Sequence, residues 1–412
     1  MNNSQFYLDF VYDEYLNNHC ESKYLMDLIS LIDWSNIPLF KNTGVGANGY
    51  SPRAMCKALF IKIIKNLSSV NELIFFLRSN PRLSQFIGFD PIRNKVPDES
   101  TFSKFRKSFN LDFLYGVISD SIFKGIQLGI FDTSTLCVDS YPIPFNSFFN
   151  NKKRFGKLVS FSSYYSNQIE ADFGVKPISN DKPVYDKNGN PKKVLSFLGF
   201  KAHTVSFFNV PIFTVVSKAS KMDIDSLIPL LQMTVSHLEF TNFSLLADKG
   251  YDSIKNYDFI HKQLNSTAFI PLRKSSFKPL KGKCGKVLSF HSKYFDKYRN
   301  HFRCKYICSD PSNCPLHRSN CYRYFDFSKD NFRMFLDRNS SKFKNTYKKR
   351  TLIESIFSSL SRLSNSTSLR FINSVNLDCN LANLFLISSA LLAHSIGRDD
   401  LLASPKSLKY SF

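Results

Sequence analysis

Apolar residues recur at helical spacing through the first third of the chain. Residues 51–80 have this pattern, with Ser51 as an N-cap residue and Pro52 at the first helical position. A proline ends the stretch, and one more short helix is predicted after it. Another helix with a basic face follows, capped by Asp98 or Ser100. The pattern predicts a compact helical region at the N-terminus.

The pattern changes to strand alternation beyond residue 130. The segment "STLCVDSYPIPF" predicts a strand that carries Asp139, and "VLSFLGFKAHTVSFF" with "VPIFTVVSKAS" predicts two paired strands. A short apolar strand, "FSLLA", ends at Asp248. Helical segments separate these strands, so we expect a mixed sheet in an α/β domain rather than an all-β fold.

Near the C-terminus, "TYKKRTLIESIFSSLSRL" predicts one helix with a single apolar stripe. Glu354 interrupts this apolar element directly after a basic cluster. A final apolar helix is predicted to end near residue 396. Its core, "LANLFLISSALLAHSI", contains polar residues and is shorter than the roughly 18 apolar residues expected of a membrane span.

The charge balance indicates a polyanionic partner. The 412 residues include 55 Lys and Arg against 33 Asp and Glu, a formal charge of +22 with a pI of about 9.5. Nucleic acid is the commonest polyanion for such a protein. A hydrophobic content of 43% is ample for packed cores. No signal-peptide pattern opens the chain, so we expect a cytoplasmic, nucleoid-associated protein.

Three acids share one unusual feature: Asp139, Asp248 and Glu354 each interrupt an apolar element beside basic residues or glycine. Functional groups gather at the carboxyl ends of strands in α/β sheets. Carboxylates brought together repel one another unless a cation neutralises them, and hard oxygen ligands suit Mg²⁺. A pair of such ions can activate water and stabilise a leaving oxygen in phosphodiester chemistry.

Each acid also has a simpler structural explanation. Asp139 could end a strand before two prolines, and Asp248 could be a turn residue before Gly250. Glu354 could pair with Arg350 at i, i+4, although an acid that follows the base is the weaker orientation.

The three segments together resemble the DDE transposases of bacterial and archaeal insertion sequences. Tyr347, Arg350 and Glu354 form Y-x-x-R-x-x-x-E, similar to the family's Y-R-E-K signature. "CVDSYPI" and "LLADKGYDS" resemble the segments that carry its first and second aspartates, and "LGFKAHTVSF" resembles the strand between them. The N-terminal helices are also similar. The family's lysine is expected at position 361, which is a serine here, and Arg362 lies about 100° further round the helix.

The resemblance implies a ribonuclease-H-like core that cuts and joins the ends of an insertion sequence. Asp139, Asp248 and Glu354 would bind two Mg²⁺ or Mn²⁺ ions. The chain would bind double-stranded transposon ends and target DNA as a homodimer, away from membranes. The expected DNA-binding residues are Tyr347, Lys348, Lys349, Arg350, Arg362, Lys249, Lys201 and His203.

Four cysteines crowd one polar segment, a pattern that suits a structural Zn²⁺ site. They are Cys304, Cys308, Cys314 and Cys321, and His317 could replace one of them. The alternative is a set of reduced thiols that pack as small apolar groups.

We therefore predict three domains. Residues 1–125 form a helical DNA-binding domain, residues 126–270 and 341–398 form the catalytic core, and residues 271–340 form a zinc-binding insertion. Two other functions fit the composition: a related nuclease without strand transfer, and a non-catalytic, regulatory zinc protein that binds DNA. The convergent acids favour the enzyme, because a binding module has no need of carboxylates that repel phosphates.

Overall fold

The computed structural model describes residues 20–40, 49–90, 96–146, 170–177, 184–185, 191–192, 194–208, 210–273, 280–308, 312–313, 321–338, 340–363 and 367–408. The chain forms two compact units, which are considered separately. Unit 1 comprises Met1–Phe240 and Thr351–Phe412, and unit 2 comprises Thr241–Arg350.

Unit 1 begins with the predicted helices. The side chain of Ser51 accepts a hydrogen bond from the Ala54 N–H at the start of α2, and Asp98 caps α5 through the Thr101 N–H. The predicted stretch 51–80 is divided into α2 and α3, and Ser69 caps α3. The six helices are α1 (Cys20–Ser30), α2 (Pro52–Ile64), α3 (Val70–Ser79), α4 (Pro81–Ile87), α5 (Glu99–Ser108) and α6 (Leu111–Gln127).

The sheet of unit 1 is built around one long strand. This strand, β5, pairs antiparallel with β1, β2 and β6, which confirms the predicted pairing of β5 with β6. The strands are β1 (Thr135–Pro144), β2 (Asp172–Pro177), β5 (Val194–Ser206) and β6 (Pro211–Lys218), with a separate two-residue pair, β3 (Val184–Tyr185) and β4 (Pro191–Lys192). Helix α7 (Ile224–Leu238) follows β6 and packs on both β5 and β6.

Unit 2 contains a short parallel strand pair and a three-stranded antiparallel sheet. The three-stranded sheet occupies the cysteine-bearing segment, in which the sequence shows no helical period. The strands and helices are β7 (Ser244–Ala247), α8 (Ile254–Asp258), β8 (Thr267–Phe269), β9 (Leu288–Asp296), β10 (His301–Cys308), β11 (Tyr322–Ser328), α9 (Phe332–Phe335) and α10 (Ser341–Lys348).

The last segment of the chain returns to unit 1 as α11 (Thr351–Leu363), α12 (Ile372–Ser395) and α13 (Pro405–Leu408). Helix α12 is the core of this unit, because it packs on β6 and on helices α2 and α6. In the described residues α12 is the one helix long and apolar enough to cross a membrane, but 94% of its most apolar window is buried inside the protein. It is therefore placed as a core helix.

One predicted element is wrong in its boundaries. Helix α10 ends at Lys348 and α11 begins at Thr351, so the segment from Thr346 to Leu363 is not a single helix. Tyr347, Arg350 and Glu354 consequently do not share one continuous helical face.

Candidate active site and metal-binding residues

Asp139 lies in β1, opposite Thr204 of β5. The preceding residues of the strand are buried, whereas Asp139 itself is half-buried. Its Oδ1 accepts a hydrogen bond of 2.8 Å from the Ser140 N–H. Burial of the strand therefore holds the backbone of Asp139 rigidly while its carboxylate keeps contact with solvent.

Helix α11 packs on the sheet face that carries Asp139. Tyr141 is two residues further along β1 and so lies on the same face. Its ring contacts Phe357 of α11 edge-on, with 6.0 Å between the ring centroids. Glu354 is exposed in the first turn of α11, one turn before Phe357. Asp139 is two residues before Tyr141 on β1, and Glu354 is three residues before Phe357 on α11. Both acids therefore lie near the Tyr141–Phe357 contact, on neighbouring elements of unit 1.

Asp248 follows the last residue of β7 in unit 2 and begins a short 3₁₀ turn, Lys249–Tyr251. Its Oδ1 accepts a hydrogen bond of 2.6 Å from the Lys249 N–H. The apolar strand and the turn fix the position of this half-buried acid at a strand end, as predicted.

A buried ion pair that sequence reasoning missed stabilises the segment after Asp248. Asp252 accepts hydrogen bonds of 2.7 and 2.6 Å from Arg333, and one of 2.8 Å from the Arg273 N–H. Arg273 also donates to the Lys249 carbonyl, 3.1 Å away. No local signal in the sequence connects Asp252 to an arginine 81 positions away.

Several predicted DNA-binding residues are accessible. Lys249, Lys348 and Lys349 are exposed. The Tyr347 ring stacks on Phe343 with 5.5 Å between centroids and 13° between planes. Arg362 is exposed, and its Nε donates to the Ser358 carbonyl of its own helix.

His203 and Lys201 are placed differently from the prediction. The His203 side chain is fully buried, with its Nε2 3.2 Å from Ser217 Oγ, so the expected DNA contact by His203 is wrong. Burial lowers the pKa of His203 to about 4, against the opposing effect of Asp223. Lys201 forms an ion pair of 3.0 Å with the same Asp223 and is largely covered. Both residues adjoin Asp223, whose Oδ1 lies 3.0 Å from Lys201 Nζ and 4.0 Å from His203 Nδ1.

The cysteine set also needs correction. Cys304 and Cys308 are four residues apart on one strand, about 13 Å at the usual rise of a strand. Zn–S bonds of about 2.3 Å keep two sulfur ligands of one ion within about 4.6 Å of each other, so these two residues cannot share a Zn²⁺ ion. Cys314 and His317 lie outside the described residues.

The structure instead brings Cys284 towards Cys321. Gly282 lies against both: a Cβ added there would be 2.8 Å from Cys321 Sγ and 3.6 Å from Cys284 Sγ. The Cys308 N–H donates to the Cys321 carbonyl at 3.0 Å. Within the described part of the chain, no three His, Cys, Asp or Glu residues are arranged closely enough to hold a metal ion. Cys284 was missed because 24 residues separate it from Cys308 in sequence.

The fold and the acids define an α/β protein with a helical N-terminal region and strand-borne carboxylates. Comparison with known families gives the particular assignment. Residues 13–108 match a family described as a transposase domain (DUF772), and residues 130–389 match the transposase DDE domain. The chain belongs to the transposase DDE domain family.

The structure of a piggyBac transposase synaptic complex with hairpin DNA aligns with 95% of this chain and 80% of that one, at 13% identity and a TM-score of 0.36. No curated protein matches the sequence.

Family membership confirms the predicted resemblance, the α/β fold class and the enzymatic activity. The protein is a DDE transposase, which cleaves DNA and transfers strands in transposition, and enzymes of this class use divalent metal ions. A purely regulatory DNA-binding protein, the alternative from composition, is therefore excluded.

Proposed function

We propose that Asp139, Asp248 and Glu354 are the catalytic carboxylates and bind two Mg²⁺ or Mn²⁺ ions. The single observation that best supports this is the placement of Asp139 and Glu354 on packed elements of unit 1, next to the Tyr141–Phe357 contact. Half-buried or exposed carboxylates on apolar elements are the donor set that hard divalent cations prefer. The ions, when bound, supply a nucleophilic water and stabilise the leaving oxygen.

The protein's own residues would orient the DNA. The exposed Lys249 adjoins Asp248, and Lys348, Lys349 and Arg350 lie just before α11, where they can contact phosphates. We infer that the substrates are the double-stranded ends of an insertion sequence and target DNA, bound by a homodimer in the cytoplasm. A helical DNA-binding domain at 1–125, a catalytic core at 126–270 and 341–398 and an insertion at 271–340 would share this task.

Replacing one carboxylate tests the proposed site. Glu354→Gln keeps the size and hydrogen-bonding capacity of the side chain but removes its charge. We expect the variant to bind DNA carrying the flanking inverted repeats as the wild type does, with donor-DNA cleavage in Mg²⁺ reduced at least a hundredfold. Glu239→Gln, at an exposed glutamate that follows α7, is the matched control. Undiminished cleavage by Glu354→Gln would disprove the assignment.

We also propose a structural Zn²⁺ that has Cys284 and Cys321 among its ligands, in place of the set that included Cys304. The support is the position of Gly282: a Cβ added there would be 2.8 Å from Cys321 Sγ and 3.6 Å from Cys284 Sγ, which places the two sulfur atoms near each other. Bound zinc would tie the start of the three-stranded sheet to its last strand.

Metal analysis tests this ligand set. Protein purified without chelator should contain about one zinc ion per chain, Cys284→Ser should lose it, and Cys304→Ser should retain it. Zinc retained by Cys284→Ser, or absent from the wild type, would contradict the proposal.

A further inference from the structure

One face of the three-stranded sheet in unit 2 carries exposed tyrosines and basic side chains. In the register of the sheet, Tyr294 and Arg303 are directly opposite each other, and Lys305 is opposite Tyr324. Residues two apart on a strand share a face, which adds Tyr322 on β11. We define these five residues as the tyrosine face: Tyr294, Arg303, Lys305, Tyr322 and Tyr324.

The contacts on the tyrosine face show that these side chains are neighbours. The Arg303 guanidinium lies 4.5 Å from the ring centroid of Tyr324, and Lys305 Nζ lies 5.2 Å from that of Tyr322. The rings of Tyr322 and Tyr324 are 5.5 Å apart. Cations placed over rings hold both groups in one layer.

The opposite face of the sheet is used for packing. There Lys293 lies 4.5 Å from the ring centroid of Phe302 and 4.9 Å from that of Phe327. Phe335 of α9 contacts Phe302 edge-on at 6.0 Å. On this face the sheet is therefore anchored through Phe302 and Phe327. Packing on the phenylalanine side does not explain the tyrosines on the other face, because they stay exposed to solvent. Their exposed fractions are 45% (Tyr294), 52% (Tyr322) and 39% (Tyr324).

The charge of the segment favours a polyanion on the tyrosine face. Residues 280–338 contain thirteen lysines and arginines against five aspartates and no glutamate. Asp326 offsets part of this charge, since it pairs with Arg303 at 3.0 Å. Aromatic rings with interleaved cations on an open sheet suit unpaired nucleotides, because bases stack on rings while cations contact the backbone. Bases in a duplex are already stacked and offer no free face.

We propose that the tyrosine face binds single-stranded DNA by stacking bases on Tyr322 and Tyr324. Arg303 and Lys305 contribute by keeping the rings in place and by attracting phosphates. This binding site uses none of the three carboxylates and adds a second mode of DNA contact to the transposase.

The test compares single-stranded with double-stranded DNA, using the full chain. Fluorescence anisotropy measures binding of a labelled dT12 oligonucleotide and of a 12-base-pair duplex at one salt concentration, without added divalent metal. The double variant Tyr322→Ala/Tyr324→Ala should weaken dT12 binding at least tenfold. Its binding to the duplex should change less than twofold. Tyr298→Ala is the matched control, because Tyr298 is a 98% exposed tyrosine in the turn between β9 and β10.

Two further variants separate stacking from apolar bulk. Tyr322→Phe/Tyr324→Phe should retain dT12 binding, and Tyr322→Leu/Tyr324→Leu should lose it as the alanine variant does, since leucine fills the space without a π-face. Wild-type affinity in the alanine or leucine variant, an equal loss on the duplex, or no binding of dT12 by the wild type would overturn the proposal. No cleavage is measured, so these outcomes are independent of the Glu354→Gln test.

Discussion

Arg333 donates two hydrogen bonds to Asp252, one of 2.7 Å from Nε to Oδ1 and one of 2.6 Å from Nη2 to Oδ2. The Asp252 side chain has no exposed surface, whereas that of Arg333 is 17% exposed. This pair connects α9 to the turn that follows Asp248, because Asp252 ends that turn. The second predicted catalytic aspartate thus depends for its local geometry on an arginine far away in sequence.

Removal of Arg333 should destabilise unit 2 strongly. Arg333→Ala leaves a buried carboxylate without its charged partner, and loss of one member of a buried ion pair costs about 3–5 kcal/mol. Urea denaturation measures the free energy of unfolding. Arg299→Ala is the control, since Arg299 is 55% exposed and 4.0 Å from Asp326, and it should change stability by less than about 1 kcal/mol. Equal losses of unfolding free energy in the two variants would show that the buried ion pair contributes no more to stability than the exposed one.

His203 should make unit 1 sensitive to acid. Its folded pKa of about 4 lies below the usual 6.5, so the unfolded chain binds the proton more readily between these values. The histidine's contribution to stability is complete above about pH 6.5 and is lost as the pH falls towards 4, by up to about 3 kcal/mol. Asp223 favours the charged form, and Lys201 and Lys221 oppose it.

The acid sensitivity due to His203 is measured as the slope of the free energy of unfolding against pH. Urea denaturation at several pH values between 4 and 7 gives this slope. His203→Gln should flatten the slope even where it lowers stability at neutral pH. His291→Gln, at an exposed histidine, controls for the loss of one imidazole. A slope unchanged by His203→Gln would assign the acid sensitivity to other groups.

The side chain of Asn380 in α12 forms hydrogen bonds with the backbone of Thr214 in β6. Its Oδ1 accepts from the Thr214 N–H at 3.0 Å and its Nδ2 donates to the Thr214 carbonyl at 2.9 Å. Both residues are fully buried. Asn380→Ala leaves these backbone groups without partners, at a cost of about 1–3 kcal/mol each. Urea denaturation should show this loss in the free energy of unfolding. The control Asn71→Ala, at an exposed asparagine, should change that free energy by less than about 0.5 kcal/mol. An unchanged free energy of unfolding in Asn380→Ala would contradict the proposed role of Asn380.

Gly199 allows β5 to approach β1. A Cβ at this position would be 2.3 Å from the Ile143 carbonyl oxygen, which belongs to the strand that carries Asp139. Because a backbone atom of a paired strand cannot move away as a side chain can, Gly199→Ala should lower the free energy of unfolding by about 1–3 kcal/mol. Gly116→Ala is the matched control, since its Cβ would meet only the Asn36 side chain at 3.0 Å. Similar melting temperatures for the two variants would disprove the close-approach argument.

Local sequence signals predicted the elements that depend on neighbouring residues. Ser51 and Asp98 cap helices where expected, and Asp248 ends a strand, because capping and strand formation are decided within a few positions. The break between Lys348 and Thr351 escaped prediction, because Tyr347, Arg350 and Glu354 keep a helical spacing through residues that form a turn. The three-stranded sheet was missed because its aromatic residues occupy both faces and leave no clear alternation.

By itself the sequence determined the class of enzyme, the α/β fold and the strand-borne acids, since each rests on short motifs whose chemistry is local. Only the tertiary structure decided which side chains meet. It buried His203, paired Asp252 with Arg333, separated Cys304 from Cys308 and brought Cys284 towards Cys321. Such contacts depend on strand register and on chain reversals, which place residues together without leaving a periodic trace in the sequence.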